Sequence, residues 1–365
     1  MNDKPPFRAD HVGSLLRPSE LVEARAKAKT GLISASELEA VEDSSIREVA
    51  AKQEAVGLRG VTDGEFRRDY WHLDFCSQIE GITLKSAVGV GFQSVDAPPM
   101  ATVSGKLRCT RPIMTDHFAY LKSVVKQTPK LCIPAPATLH FRGGRGAISR
   151  EAYPDLAEFW ADAAEAWRVA IDHLVAAGCT YLQLDDVSFS YLCDEKVRAN
   201  LRSQGDDPVR LPRIYAEAIN GALTGRSEAM TITMHTCRGN FRSSWVASGG
   251  YEDAVIEAMF SADVDGFFME YDSARAGGFE PLRLLPKNKK VILGLVTSKV
   301  GALESKDDLK RRIDEAAKFV PLENLCLSPQ CGFASTHHGN ALGIDEQWRK
   351  LERVVEVARE VWGEN

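Results

Sequence analysis

Four residues of types that bind zinc are spread over about a quarter of the chain, each just after a short apolar run. They are His235, Cys237, Glu270 and Cys331. Thiolate, imidazole and carboxylate ligands together suit a borderline-soft ion such as Zn²⁺, whereas Ca²⁺ and Mg²⁺ prefer oxygen alone. A His-x-Cys pair with a distant cysteine also arises by chance, so the pattern predicts a zinc site only if the fold brings all four residues together.

Further polar residues follow other strand-like runs in the same way. They are His11, Gly13, Ser14, Glu65, Asp185, Asp186 and Lys299. Several have ordinary structural explanations. Asp185 and Asp186 could cap the next helix, Glu65 lies in a charged stretch that could form a surface ion pair, and Glu270 could be a cap or an ion pair.

Strand-like and helix-like segments alternate along most of the chain. The strand-like runs cover residues 7–12, 58–62, 131–134, 180–184, 230–234, 265–269, 290–295 and 325–327. Eight such βα units predict a (β/α)₈ TIM barrel, in which chemistry collects where the strands end. A doubly wound open sheet is the alternative, but no Gly-x-Gly-x-x-Gly turn follows a strand to support it.

Two segments depart from the alternation within what is expected to be a single catalytic domain, residues 1–365. Residues 73–112 contain short β-type runs, including a Gly- and Val-rich stretch up to Val95, and predict a β-hairpin insertion after the second strand. Residues 18–49 are helical and charged, and either cover the barrel or form a contact in a homo-oligomer.

Composition excludes some functions. The chain has 365 residues and a net charge of −6, which is unlike a nucleic-acid-binding protein with a basic face. No apolar run reaches the roughly 18 residues of a membrane span, and the first residues lack the apolar core of a signal peptide. We therefore expect a cytoplasmic protein with mostly reduced cysteines.

At these residues the chain resembles the cobalamin-independent methionine synthase family. In that family a His-x-Cys pair, a glutamate one strand later and a cysteine in a Pro-x-Cys-Gly turn hold zinc, which matches His235, Cys237, Glu270 and Cys331. The likeness spans almost the whole chain and is greatest to the short, single-barrel branch, as in Leu295-Val-Thr-Ser-Lys299.

The resemblance implies a zinc-dependent methyltransferase that acts on homocysteine. The segments Val12-Gly13-Ser14, Gly64-Glu65 and Gln183-Leu-Asp185-Asp186 correspond to those that hold the amino acid part of homocysteine. Glu65 and Asp185 would bind its ammonium group, Ser14 would bind its carboxylate, and His11 and Gly13 would line the same site. Asp186 and Lys299 are the candidates for a catalytic role.

The methyl-donor side departs from the family pattern. The chain has no room for the second barrel of the full-length enzymes, no histidine in Val296-Thr-Ser-Lys299, and no folate-stacking tryptophan near residues 138–141. The donor could therefore be a methyl-folate or a methyl-corrinoid. A second possible function is alkyl transfer to another thiol acceptor, as in the epoxyalkane–coenzyme M transferases. A third possible function is that of a zinc hydrolase or lyase with water in the open coordination position of the metal.

Overall fold

Seven parallel strands form the central sheet of the computed structural model, which describes residues 4–85, 99–247 and 249–363. The strands are β1 (Gly60–Val61), β4 (Thr128–Pro134), β5 (Tyr181–Asp186), β6 (Thr231–Thr236), β7 (Gly266–Glu270), β8 (Lys290–Val296) and β9 (Leu325–Pro329). They neighbour one another in sequence order and all pair in parallel. A doubly wound sheet would reverse direction at a switch point, so this order supports the predicted barrel.

The predicted first strand is reduced to a single bridge. Ala9 pairs in parallel with Leu327 of β9, and the Asp10 N–H donates to the Leu327 carbonyl at 3.0 Å. The His11 imidazole contacts the Gly60 carbonyl of β1, so this segment lies between the two ends of the sheet. Asp10 shortens the strand because its carboxylate accepts from the backbone N–H of His11 at 2.8 Å, which competes with ladder pairing.

Twelve α-helices lie in the described part of the chain. They are α1 (Ser19–Lys29), α2 (Ala35–Val56), α3 (Leu73–Cys76), α4 (Thr115–Val124), α5 (Thr138–Phe141), α6 (Leu156–Ala176), α7 (Ser188–Leu192), α8 (Glu195–Ser203), α9 (Leu211–Ala222), α10 (Asp253–Phe260), α11 (Lys306–Ala316) and α12 (Ile344–Trp362). The predicted helical segment 18–49 consists of α1 and the first part of α2. A capping box of Ser34 and Glu37 begins α2, and Gly57, at a φ of 104°, ends it.

The segment 73–112 contains a pair of antiparallel strands, β2 (Glu80–Lys85) and β3 (Met100–Arg108). It follows β1, which is the second strand position of the barrel. The Gly- and Val-rich run predicted as a further strand lies at 86–98, outside the described residues. The connection that would make β2 and β3 a hairpin lies there as well.

A buried ion pair lies inside the barrel. Lys130 Nζ is 3.1 Å from Asp10 Oδ1, and both side chains are fully buried. The Tyr181 hydroxyl donates to Asp10 Oδ2 at 2.6 Å, and the Lys130 ammonium lies 4.1 Å from the centre of the Phe268 ring. The charges are therefore compensated within the interior.

No helix among the described residues is both long enough and apolar enough to cross a membrane.

Candidate metal centre and substrate cleft

The four residues with zinc-binding side chains meet at the carboxyl edge of the sheet. His235 lies near the end of β6 and Cys237 directly follows that strand. Glu270 is the last residue of β7, and Cys331 comes two residues after β9. One ligand atom from each lies within 4.8 Å of those of the other three. The parallel register produces this convergence, because neighbouring strands end at the same edge.

The donor set fits a zinc ion. The two thiol sulfurs of Cys237 and Cys331 are 3.6 Å apart, and His235 Nε2 is 3.7 Å from Glu270 Oε1. Glu270 Oε1 accepts from the Arg238 N–H at 3.1 Å. Oε2 is buried without a hydrogen-bond partner among the described residues, and the Arg275 guanidinium lies 3.8 Å from it. A buried carboxylate oxygen with no hydrogen bond, next to two thiols and an imidazole, suits a borderline-soft cation.

The ionisation of the two cysteines is linked. Hydrogen bonding from the Cys237 thiol, and then from His235, lowers the pKa of Cys331 well below its usual value. Hydrogen bonding to Cys331 and burial raise the pKa of Cys237. Lys299, predicted as catalytic, is buried, donates from Nζ to the Gly239 carbonyl at 3.2 Å and lowers both thiol pKa values through its charge.

A second cluster of side chains lies beside the metal residues. It contains Glu65, Cys132 and Asp185 and is called the acidic group below. Gly13 is required here, because a Cβ at its φ of 131° would lie 2.5 Å from Glu65 Oε1. Glu65 itself has a φ of 58°, a conformation that is uncommon for a residue other than glycine and is concentrated at functional sites. Its carboxylate pairs with the Arg68 guanidinium.

Burial is the main cause that raises the pKa of Glu65 to about 7, and the nearby carboxylates of Asp185 and Asp63 add to it, while Arg68 opposes the shift. A carboxyl group with this pKa is partly protonated at neutral pH and becomes fully ionised when a cation approaches it. The Glu65–Asp185 pair therefore matches an ammonium group.

Ser14 lies between the acidic group and the metal residues. Its carbonyl accepts from the Phe333 N–H at 2.9 Å, and a Cβ at Gly332 would lie only 1.9 Å from the Ser14 hydroxyl oxygen. The Cys331-Gly332 turn thus packs directly on Ser14, and both line the same cleft.

Asp186 and His11, two of the predicted site residues, make hydrogen-bond contacts with nearby backbone groups. Asp186 accepts from the Ser188 hydroxyl at 2.8 Å and from the Phe189 N–H at 3.1 Å, so it caps α7 while also lining the cleft. His11 is buried against the Gly60 carbonyl at 3.2 Å and is not part of the cleft lining. Burial, followed by the charge of Lys130, lowers the pKa of His11 to about 4, so the ring is neutral.

A cleft lies over the metal residues His235, Cys237 and Cys331. Its lining includes residues that the sequence patterns did not single out: Arg68, Tyr70, Trp71, His72, Arg142, Tyr191 and Asn240. All lie in loops or short helices, where periodicity does not indicate which side chains face a site. Arg238, next to Cys237 in the sequence, points away from the cleft, donates to the Gly249 carbonyl at 2.6 Å and packs on the Tyr251 ring.

Comparisons with known proteins agree with this geometry. Residues 7–360 match the family described as "Cobalamin-independent synthase, Catalytic domain". The Bacillus subtilis protein YxjH is 47% identical over 98% of this chain and 96% of its own. A solved Listeria monocytogenes structure, provisionally assigned as a vitamin-B12 independent methionine synthase, is 38% identical over the full length of both chains, with a TM-score of 0.80.

A more distant relative shows how the chain relates to longer enzymes. The 5-methyltetrahydropteroyltriglutamate–homocysteine methyltransferase of Mycolicibacterium paratuberculosis is 24% identical over 98% of this chain but only 43% of its own length. The match therefore corresponds to one part of that enzyme. Together these matches show that the chain is a methyltransferase of the cobalamin-independent methionine synthase family.

Proposed function

We propose that this protein transfers a methyl group to the thiol of homocysteine, with Zn²⁺ held by His235, Cys237, Glu270 and Cys331. The observation that carries the proposal is the position of two groups in one cleft. Four soft and borderline donors lie within 4.8 Å of one another, and the Glu65–Asp185 carboxylates lie beside them. One group suits a thiol-activating metal and the other an amino acid.

A free thiol has a pKa near 8.5, so little of it is ionised at neutral pH. Zn²⁺ bound at this site would stabilise an incoming thiol as its reactive thiolate. Glu65 and Asp185 bind the substrate ammonium, and Ser14 binds the carboxylate. Arg68 holds Glu65 in place and keeps the local charge from becoming strongly negative. These contacts fix the amino acid so that its sulfur points at the metal residues.

The methyl donor is either a methyl-folate or a methyl-corrinoid. The zinc-loaded protein is incubated with L-homocysteine and, in parallel, 5-methyltetrahydrofolate or methylcobalamin, and methionine is measured by mass spectrometry. We expect methionine with at least one donor and none when homocysteine is omitted. Turnover of a donor without any thiol would instead support a hydrolase.

Cysteine variants test the metal residues directly. We expect Cys237→Ser and Cys331→Ser to lose stoichiometric zinc and activity. Cys326→Ala is the matched control, since Cys326 is a buried barrel cysteine on β9 outside the metal group. Full zinc content and full activity in both serine variants would refute the proposed metal site.

A further inference from the structure

Arg142 is a cation in the wall of the cleft, and it has no hydrogen-bond or ion-pair partner among the described residues. It directly follows α5 and lines the cleft together with the metal residue Cys237. Burial lowers its pKa, yet an arginine remains charged at neutral pH. Arg142 is only partly exposed within the cleft wall, so a bound anion could pair directly with its guanidinium group.

His72 provides a second observation at the same wall. Its side chain is only 2% exposed, lines the cleft and stacks against Trp71 with ring centres 4.6 Å apart. Neither ring nitrogen has a hydrogen-bond partner among the described residues. Burial, followed by the charge of Arg142, lowers the pKa of His72 well below its usual value. The neutral ring therefore has one N–H donor to which no described residue provides an acceptor.

The Arg142 wall of the cleft lies near the metal residue Cys237. The charges of Tyr191, Cys237 and Cys76 act on the pKa of Arg142. Phe141 and Tyr191 pack edge to face with ring centres 5.3 Å apart and support this wall. An anion bound here would lie in the same cleft as the metal residue Cys237.

We propose that Arg142 and His72 bind a carboxylate or phosphate group of the methyl donor and thereby hold the donor over the metal residues. The inference rests on the proposed methyl transfer, because it assigns the second substrate of that reaction to this wall. Arg142 supplies charge-assisted hydrogen bonds and His72 a neutral N–H. The contact with His72 would also satisfy a ring nitrogen that is buried without a partner in the described part of the chain.

Direct binding to the full-length, zinc-loaded protein tests this without depending on turnover. Calorimetry compares 5-methyltetrahydrofolate with its glutamate dimethyl ester, and methylcobalamin with methylcobinamide, which lacks the phosphate. In wild type we expect the anionic member of at least one pair to bind about tenfold or more tightly than its partner, as for a hydrogen bond to a charged group. The pair that shows the preference identifies the anion as carboxylate or phosphate.

Arg142→Gln should abolish that preference, and His72→Phe, which keeps a ring but removes the N–H, should weaken it several-fold. Arg213→Gln is the control, since Arg213 is 84% exposed on α9. Zinc content and homocysteine affinity should stay at wild-type values in all three. The inference is overturned if wild type shows no preference, if Arg142→Gln retains it, or if Arg142→Gln weakens homocysteine instead. Failure of the proposed function would appear separately, as wild-type protein that binds neither zinc nor homocysteine.

Discussion

Asp185 Oδ1 lies 3.5 Å from Nδ1 of His235, while the other ring nitrogen, Nε2, lies 3.3 Å from the Gln330 carbonyl oxygen and 3.7 Å from Glu270 Oε1. This is the arrangement expected of a metal-binding histidine, with one nitrogen toward the ligand group and the other held by a carboxylate. The Gln183 amide in turn donates to Asp185 at 2.7 Å. Asp185 therefore contacts the His235 ring, and in the proposed function it also binds the ammonium group of the substrate.

We predict that Asp185→Asn lowers zinc affinity about 10- to 100-fold, as is typical when a carboxylate that orients a metal-binding histidine is removed. Competition with a chromogenic chelator measures the affinity. Asp186→Asn is the neighbouring control, because that carboxylate caps α7 through Ser188 and Phe189 and should leave zinc affinity near wild type. Equal zinc affinities in wild type and Asp185→Asn would contradict this role.

We predict that binding of L-methionine weakens about tenfold between pH 8 and pH 6. The reason is that Glu65, whose pKa is raised to about 7, must be ionised to bind the ammonium group and is mostly protonated at pH 6. Methionine is chosen because it has no thiol that would itself titrate. Calorimetry at several pH values measures the effect.

Glu65→Gln is the matched control for this pH dependence. It should bind methionine more weakly at pH 8 and show little change down to pH 6. An unchanged wild-type affinity over this range, or the same slope in Glu65→Gln, would show that Glu65 does not bind the ammonium group.

The barrel interior allows a stability prediction that is independent of the reaction. Lys130→Met should lower the free energy of unfolding by about 3–5 kcal/mol, because it leaves the Asp10 carboxylate buried without its cation. Urea unfolding measures the change. Arg168→Met is the control, since the Arg168 pairs with Glu165 and Asp172 lie at the surface and should contribute about 0–1 kcal/mol.

The double variant Asp10→Asn, Lys130→Met separates the lost pair from lost packing. It should be more stable than Lys130→Met alone, since it no longer contains an uncompensated buried carboxylate. If the double variant were the less stable of the two, the buried charge would not be the cause of the destabilisation.

Strand ends were the most predictable part of the molecule. Apolar runs followed by Gly, Asp, His or Cys indicated both the parallel sheet and the edge at which the four candidate metal ligands meet, because the carboxyl ends of parallel strands lie at one edge. The helical segment predicted at residues 18–49 contains α1 (Ser19–Lys29) and the first part of α2 (Ala35–Val56).

Side-chain direction in the loops was not predictable from the same patterns. His11 follows a strand-like run, yet it is turned toward Gly60, since Asp10 takes up the local backbone N–H and the strand is reduced to one bridge. Arg142 and His72 carry no spacing signal, and only the packing of separate loops places them on one wall. The thiol side of the site could therefore be predicted from sequence, whereas the Arg142 wall required the structure.

Zinc K-edge X-ray absorption on the zinc-loaded protein, with and without L-homocysteine, tests the central claim most directly. We predict two sulfur ligands in the free protein, from Cys237 and Cys331, and three after homocysteine is added. L-Homoserine, which carries oxygen in place of sulfur, should leave the count at two. A sulfur count that does not change on adding saturating homocysteine would contradict the proposal that its thiol binds at this metal site.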